Sequence, residues 1–202
     1  LDQLNFEQTA DATFNEGDFR PEVVSWAKEK FGDRVAPNGR AAAENFVAWF
    51  GDSQVVDEKG APRLVYHRTP FEFTEFVPGG RDPKESGPAI WLAYSPFGIP
   101  SWALGQKGKD DRVMPLYVRA ENPLQLEFVE GEDSFAKNYE KWGTRDGRIL
   151  TPKAVDRIRA AGYDSVITTE VSGDPHAREL VVFDPTQIKS TENLGDFAPE
   201  QP

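Results

Sequence analysis

Three residue types in this chain sit where they could do chemistry on a small molecule. His67 is one of only two histidines and ends the short apolar run Leu64-Val65-Tyr66. A strand that delivers an imidazole to its tip is one way to build a site on a rigid element. Trp91 lies within Ala89-Ile90-Trp91-Leu92-Ala93-Tyr94 and offers a stacking face. Glu179 opens the run Glu179-Leu180-Val181-Val182-Phe183 and offers a carboxylate. Each also has a plain structural reading. His67 would be a core histidine held by a backbone carbonyl, Trp91 a core aromatic, and Glu179 a solvated residue at a strand start.

Other arrangements for chemistry find little support. With two histidines and no cysteine, a metal site would have to be rich in carboxylates, and no His-x-x-x-His spacing occurs. No Gly-x-Ser-x-Gly elbow is present. Gly105-Gln106-Lys107-Gly108-Lys109 has the wrong spacing for a phosphate loop, and Gly-x-Gly-x-x-Gly is absent. The 34 acidic residues contain many possible carboxylate pairs for sugar hydrolysis, so a glycosidase stays open, with nothing to select a pair.

The elements that must position these residues follow from punctuation and periodicity. Pro21 opens a helix that Gly32 stops. A second helix spans about 40–50 and places Ala43, Phe46, Val47 and Phe50 on one face, with Gly51 as its cap. Asp57-Glu58-Lys59-Gly60 is a hairpin turn leading to a strand at 63–67. Phe71, Phe73 and Phe76 are expected to pack under a loop.

Further strands are expected at 89–94, 113–118, 124–128, 164–169 and 179–183. Pro115 assigns its strand to an edge or a bulge. Ser95-Pro96 starts a helix carrying Trp102, a helix lies within 129–150, and another spans 152–161. Two helices followed by many short strands with interspersed helices make an α+β fold, with an antiparallel or mixed sheet packed as a split sandwich. The domain is expected at 21–190, preceded by an acidic arm or linker (1–20) and followed by a flexible tail (191–202).

A hydrophobic content of 38%, with 14 Phe and 5 Trp, is enough for a real core. The net charge of −11 argues against nucleic acid or an anionic membrane as a partner. No apolar run is long enough to span a bilayer, and the first residues lack the pattern of a signal peptide. The start without Met suggests a domain of a longer polypeptide or a matured chain.

Several blocks, in order, resemble a known family. Tyr66-His67-Arg68-Thr69 is similar to the Tyr/Trp-His-Gly-Thr motif of ADP-ribosyltransferases of the His-Tyr-Glu class, which includes diphtheria-toxin-like and poly-ADP-ribose-polymerase-like enzymes. Ala89-Ile90-Trp91-Leu92-Ala93 resembles the Gly-Ile-Tyr-Phe strand of that class, and Arg178-Glu179-Leu180-Val181-Val182-Phe183 its Glu-bearing final strand. Trp102 falls where a second aromatic is carried on the following helix.

A closer resemblance is to the ADP-ribosyltransferase-like domains of phage polyvalent and minor-head-type proteins. It rests on Trp49-Phe50-Gly51-Asp52-Ser53, Pro115-Leu116-Tyr117-Val118, Asn122-Pro123-Leu124, Gly162-Tyr163-Asp164 and Val181-Val182-Phe183-Asp184-Pro185-Thr186-Gln187-Ile188-Lys189-Ser190. It covers about 45–190. Arg68 stands where the family has Gly, and Trp91 where it has Tyr.

The resemblance implies an ADP-ribosyltransferase-type split sheet with N-terminal helices, and an enzyme that cleaves NAD at the nicotinamide–ribose bond. The ADP-ribose would pass to an acceptor that the sequence does not name; protein, nucleic acid and water stay open, and the net charge of −11 favours a protein over a nucleic acid. Glu179 would be the catalytic carboxylate beside the ribose. His67, Arg68, Thr69, Trp91 and Trp102 would contact NAD, with Arg68 and Arg81 as cations for the pyrophosphate. Ala177-Arg178-Glu179 lacks the Glu-x-Glu or Gln-x-Glu of arginine-modifying relatives in the other class. The expected setting is a soluble phage or toxin effector acting in the bacterial cytoplasm, with no metal and no membrane partner. The alternative is the same fold kept as an inactive binding or structural module, which Arg68 and Trp91 favour.

Overall fold

The computed structural model describes residues 14–69, 72–73, 75–79, 88–96, 112–129, 134–144, 150–171, 178–193 and 195–198. Helix α1 is Pro21–Phe31, with Pro at its first position and Gly32 at its end, where φ is 54°. Helix α2 is Ala42–Phe50, ended by Gly51. The strands are β1 (Val65–Thr69), β2 (Ile90–Ala93), β3 (Arg112–Val118) and β4 (Pro123–Val129). Helices α3 (Ser134–Trp142) and α4 (Pro152–Ala160) follow, then β5 (Ser165–Val171), β6 (Arg178–Val182) and β7 (Ile188–Ser190). The start of α4 is held by Thr151, whose hydroxyl accepts from the Ala154 N–H at 3.1 Å.

The seven strands form one mixed sheet in the order β4-β5-β6-β2-β1-β3-β7. Only β4 and β5 run parallel. The joint between β2 and β1 is the weak one: a single register pair, Tyr66 opposite Ala93, connects them. By contrast, β1 pairs with β3 at five positions and β2 with β6 at four. The sheet therefore splits there into β4-β5-β6-β2 and β1-β3-β7, the expected α+β split architecture.

Side chains alternate across a strand, and residues directly opposite in a ladder share a face. One face carries Val65, Leu116, Leu92, Leu180, Ile90, Val182 and Ile167, a buried cluster that both halves share. The other face is covered twice. Over the β3 half, α1 and α2 bury Phe31, Phe46, Trp49 and Phe50 against Tyr117. Over the β6 half, α4 and Trp142 bury Val166, Val181 and Phe183. The outer strip at the split lies between these two layers.

Several boundaries differ from expectation. Pro115 sits on β3 below the end of β7, which pairs only with residues 116–118. The proline needs no partner there, which is why an internal strand tolerates it. Strand β7 was not expected. Within the 191–202 stretch expected as a flexible tail, Phe197 is 1% exposed and stacks on Trp49 at 5.9 Å, on the α1–α2 core. The Gly195 carbonyl accepts from Asn45 at 2.9 Å, and the Ala198 carbonyl from Lys189 at 2.7 Å. Likewise, residues 14–20 fold against α1 through a Phe14–Phe19 stack at 5.2 Å and a Glu16–Lys28 ion pair at 2.5 Å.

Candidate active site

The sheet order brings β6, β2 and β1 side by side, and with them Glu179, Trp91 and His67. Glu179 stands opposite Ala93 on β2, and Ala93 stands opposite Tyr66 on β1. Trp91 is two residues from Ala93 on the same face. Its side chain is therefore diagonal to Glu179, at about 7–8 Å by strand geometry. Both side chains are half-buried, in the strip between the two helix layers. Thr168, directly opposite Glu179 on β5, places its hydroxyl 3.5 Å from the Glu179 carboxylate.

His67 reaches the split differently. Alternation along β1 puts it on the face of Val65, opposite Met114. Its Nδ1 lies 3.1 Å from the carbonyl oxygen of Trp91, so the contact crosses from one half-sheet to the other. A carbonyl only accepts, so Nδ1 carries the proton and Nε2 keeps a lone pair. Phe73 and Phe76 meet the imidazole edge-on at 5.8 and 5.1 Å. Burial pushes the His67 pKa below its ordinary 6.5, and the bond to the Trp91 carbonyl pulls partly back. The ring is thus a neutral, oriented hydrogen-bond acceptor rather than a cation.

Arg68 follows His67 and falls on the opposite face, level with Val113 and alternating with Tyr66. That is the face of Trp91 and Glu179. Thr69, at the end of β1, is buried. Trp102 and Arg81 lie outside the described residues. Among the described residues, no group of three His, Asp or Glu side chains is placed to hold a metal ion. Nor is any described helix long and apolar enough to cross a membrane.

The family described as ADP-ribosyltransferase in polyvalent proteins matches residues 57–197. The chain belongs to it. No curated protein and no solved structure matches.

Within this ADP-ribosyltransferase domain, some residues at the split carried no signal in the sequence. Tyr94 directly follows β2, and its ring has the Arg63 guanidinium at 4.9 Å and the Arg178 guanidinium at 4.5 Å. These three residues are far apart in the chain, and only the strand order unites them. A groove of about 830 Å³ also opens along Glu72, Phe73, Met114 and Ser190. It shares Phe73 with the His67 cluster, but neither Trp91 nor Glu179 lines it.

Proposed function

We propose that the chain is a mono-ADP-ribosyltransferase that uses NAD as substrate and passes ADP-ribose to a macromolecular acceptor, with a protein favoured. The observation that supports this reading is the placement of Trp91 and Glu179 on one face of adjacent strands at the split, with His67, from the opposite face of β1, hydrogen-bonded to the Trp91 carbonyl.

In the reaction, the bond between the ribose C1′ and the nicotinamide nitrogen breaks, and its electron pair leaves with the nicotinamide. Positive charge builds on the ribose ring. A nucleophile of the acceptor forms the new bond to C1′ and releases its proton to solvent. Glu179 supplies the negative field for that ring and takes a hydrogen bond from the ribose 2′-hydroxyl. The Nε2 lone pair of His67, on the other face of β1 from Glu179, is the candidate to accept from a ribose hydroxyl elsewhere on the dinucleotide, and its fixed tautomer spares the substrate the cost of orienting it. Trp91 offers an aromatic face to the cationic nicotinamide ring. Arg68 and Arg81 supply positive charge to the pyrophosphate, Thr69 supports the motif, and Trp102 contributes a second aromatic face. The proposed setting is an effector of phage or toxin origin acting in the bacterial cytoplasm, in keeping with the polyvalent-protein family.

One observation favours a second reading. Arg68 lies on the face of Trp91 and Glu179, where a side chain would compete with nicotinamide. On that reading the domain binds without turning NAD over. Incubation with NAD and measurement of released nicotinamide separates the two. Release above background, increased by a protein acceptor, is expected. Background release with every acceptor and with water would establish the binding module instead.

A further inference from the structure

The joint between the half-sheets has one register pair, yet the residues proposed to act on NAD stand on both sides of it. Something other than the backbone ladder must set the spacing. Tyr94 lies one residue beyond that pair. Its ring is buried (8% exposed), and its hydroxyl is enclosed with no hydrogen-bond partner among the described residues. Arg63, two residues before β1, places its guanidinium 4.9 Å from the ring centre and its Nη2 3.5 Å from the Tyr94 carbonyl. The backbone of Arg63 is itself held, since its N–H donates to the Val55 carbonyl at 2.9 Å. Arg178, the first residue of β6, places its guanidinium 4.5 Å from the same ring, and its carbonyl accepts from the Tyr94 N–H at 3.4 Å.

The ring is thus gripped by one cation from each half-sheet. Arg178 is also the immediate neighbour of Glu179. A guanidinium over an aromatic face is attracted by the ring quadrupole, more strongly where the ring is desolvated. Both guanidinium contacts are made with the ring, so the π face is the part of Tyr94 that joins the two half-sheets.

We propose that the Arg63–Tyr94–Arg178 stack is a positioning clamp that holds the split at a fixed width and sets Glu179 against the ribose. The catalytic half of this statement rests on the proposed role of Glu179. The clamp itself does not.

Three variants test it. Tyr94→Leu keeps an apolar side chain and removes the π face. Tyr94→Phe keeps the face and removes the hydroxyl. Arg178→Lys keeps the cation. Hydrogen exchange is read segment by segment, and nicotinamide release is read as kcat and KM for NAD. In Tyr94→Leu, exchange is expected to quicken at least tenfold in residues 63–67 and 178–180, with the β4–β5 ladder unchanged. Its kcat should fall about tenfold with KM for NAD within twofold. Tyr94→Phe should match the parent in both, and Arg178→Lys should lie between. Unchanged exchange in Tyr94→Leu would overturn the clamp, and so would a uniform rise over the whole sheet, which marks an ordinary core residue. A parent protein without turnover would overturn the role of Glu179 while the exchange comparison still decides the clamp.

Discussion

The Nδ1 of His67 and the carbonyl oxygen of Trp91 are 3.1 Å apart across the β1–β2 joint, the most thinly paired among the described strands. The bond fixes the imidazole in one tautomer and leaves Nε2 to accept. A single hydrogen bond of this kind is worth about 0.5–1.5 kcal/mol net. His67→Ala is therefore expected to weaken NAD binding up to about tenfold, measured by titration calorimetry. Undiminished affinity would remove His67 from the site.

Glu179 is the second residue of β6, half-buried, with no place in any of the three apolar clusters. Glu179→Gln keeps its shape and deletes its charge. Turnover of NAD should drop about 10²–10³-fold, the usual worth of one preorganised electrostatic partner. The melting temperature should stay within a few degrees of the parent. Retained turnover would mean that the carboxylate acting on the ribose lies elsewhere.

Stability should depend on pH through His67. Its folded pKa lies below the ordinary 6.5 because burial disfavours the charged ring. Above that value both folded and unfolded chains hold the ring neutral, and the contribution is complete. As pH falls from 6.5 through the folded pKa, the unfolded chain takes a proton that the folded chain resists, so stability is lost. Melting temperatures between pH 8 and 5 should decline for the parent and decline less for His67→Asn. Parallel declines would place the titrating group elsewhere.

Phe197 anchors the chain after β7 on the α1–α2 core, in contact with Phe31, Phe46 and Trp49. Phe197→Ala should cost about 3–5 kcal/mol, read from urea unfolding. A loss below about 1 kcal/mol would show that residues 195–198 contribute little to the fold.

Much of the secondary structure was legible in the residues. Pro21 and Gly32 bound α1, and the apolar runs around Val181 and Leu92 are strands, because local punctuation and burial periodicity act over a few residues. The misses share one cause. Ile188-Lys189-Ser190 is too short and too polar to read as a strand, but β3 pairs with it, and Lys189 is buried with its ammonium group 5.9 Å from the Trp49 ring. Phe197 is one aromatic among polar neighbours, and its burial depends on helices more than 140 residues earlier in the chain.

For the site, the chain by itself determined which groups are available: an imidazole, a tryptophan and a carboxylate on strands, although His67 proves to be the middle residue of β1 rather than the tip expected, because β1 runs on to Thr69 against β3. The chain also determined the family to which their order belongs. Their adjacency came from the strand order β6-β2-β1, which joins residues over 100 positions apart. Tertiary structure alone decided that His67 is neutral, through burial and the Trp91 carbonyl, and that Arg68 shares the face of Trp91 and Glu179. It likewise brought Arg63 and Arg178 to the two ends of one tyrosine contact. The physical reason is range. Helix and strand preferences are set by neighbours in sequence, whereas burial, register and cation–π contact depend on which strands finally lie side by side.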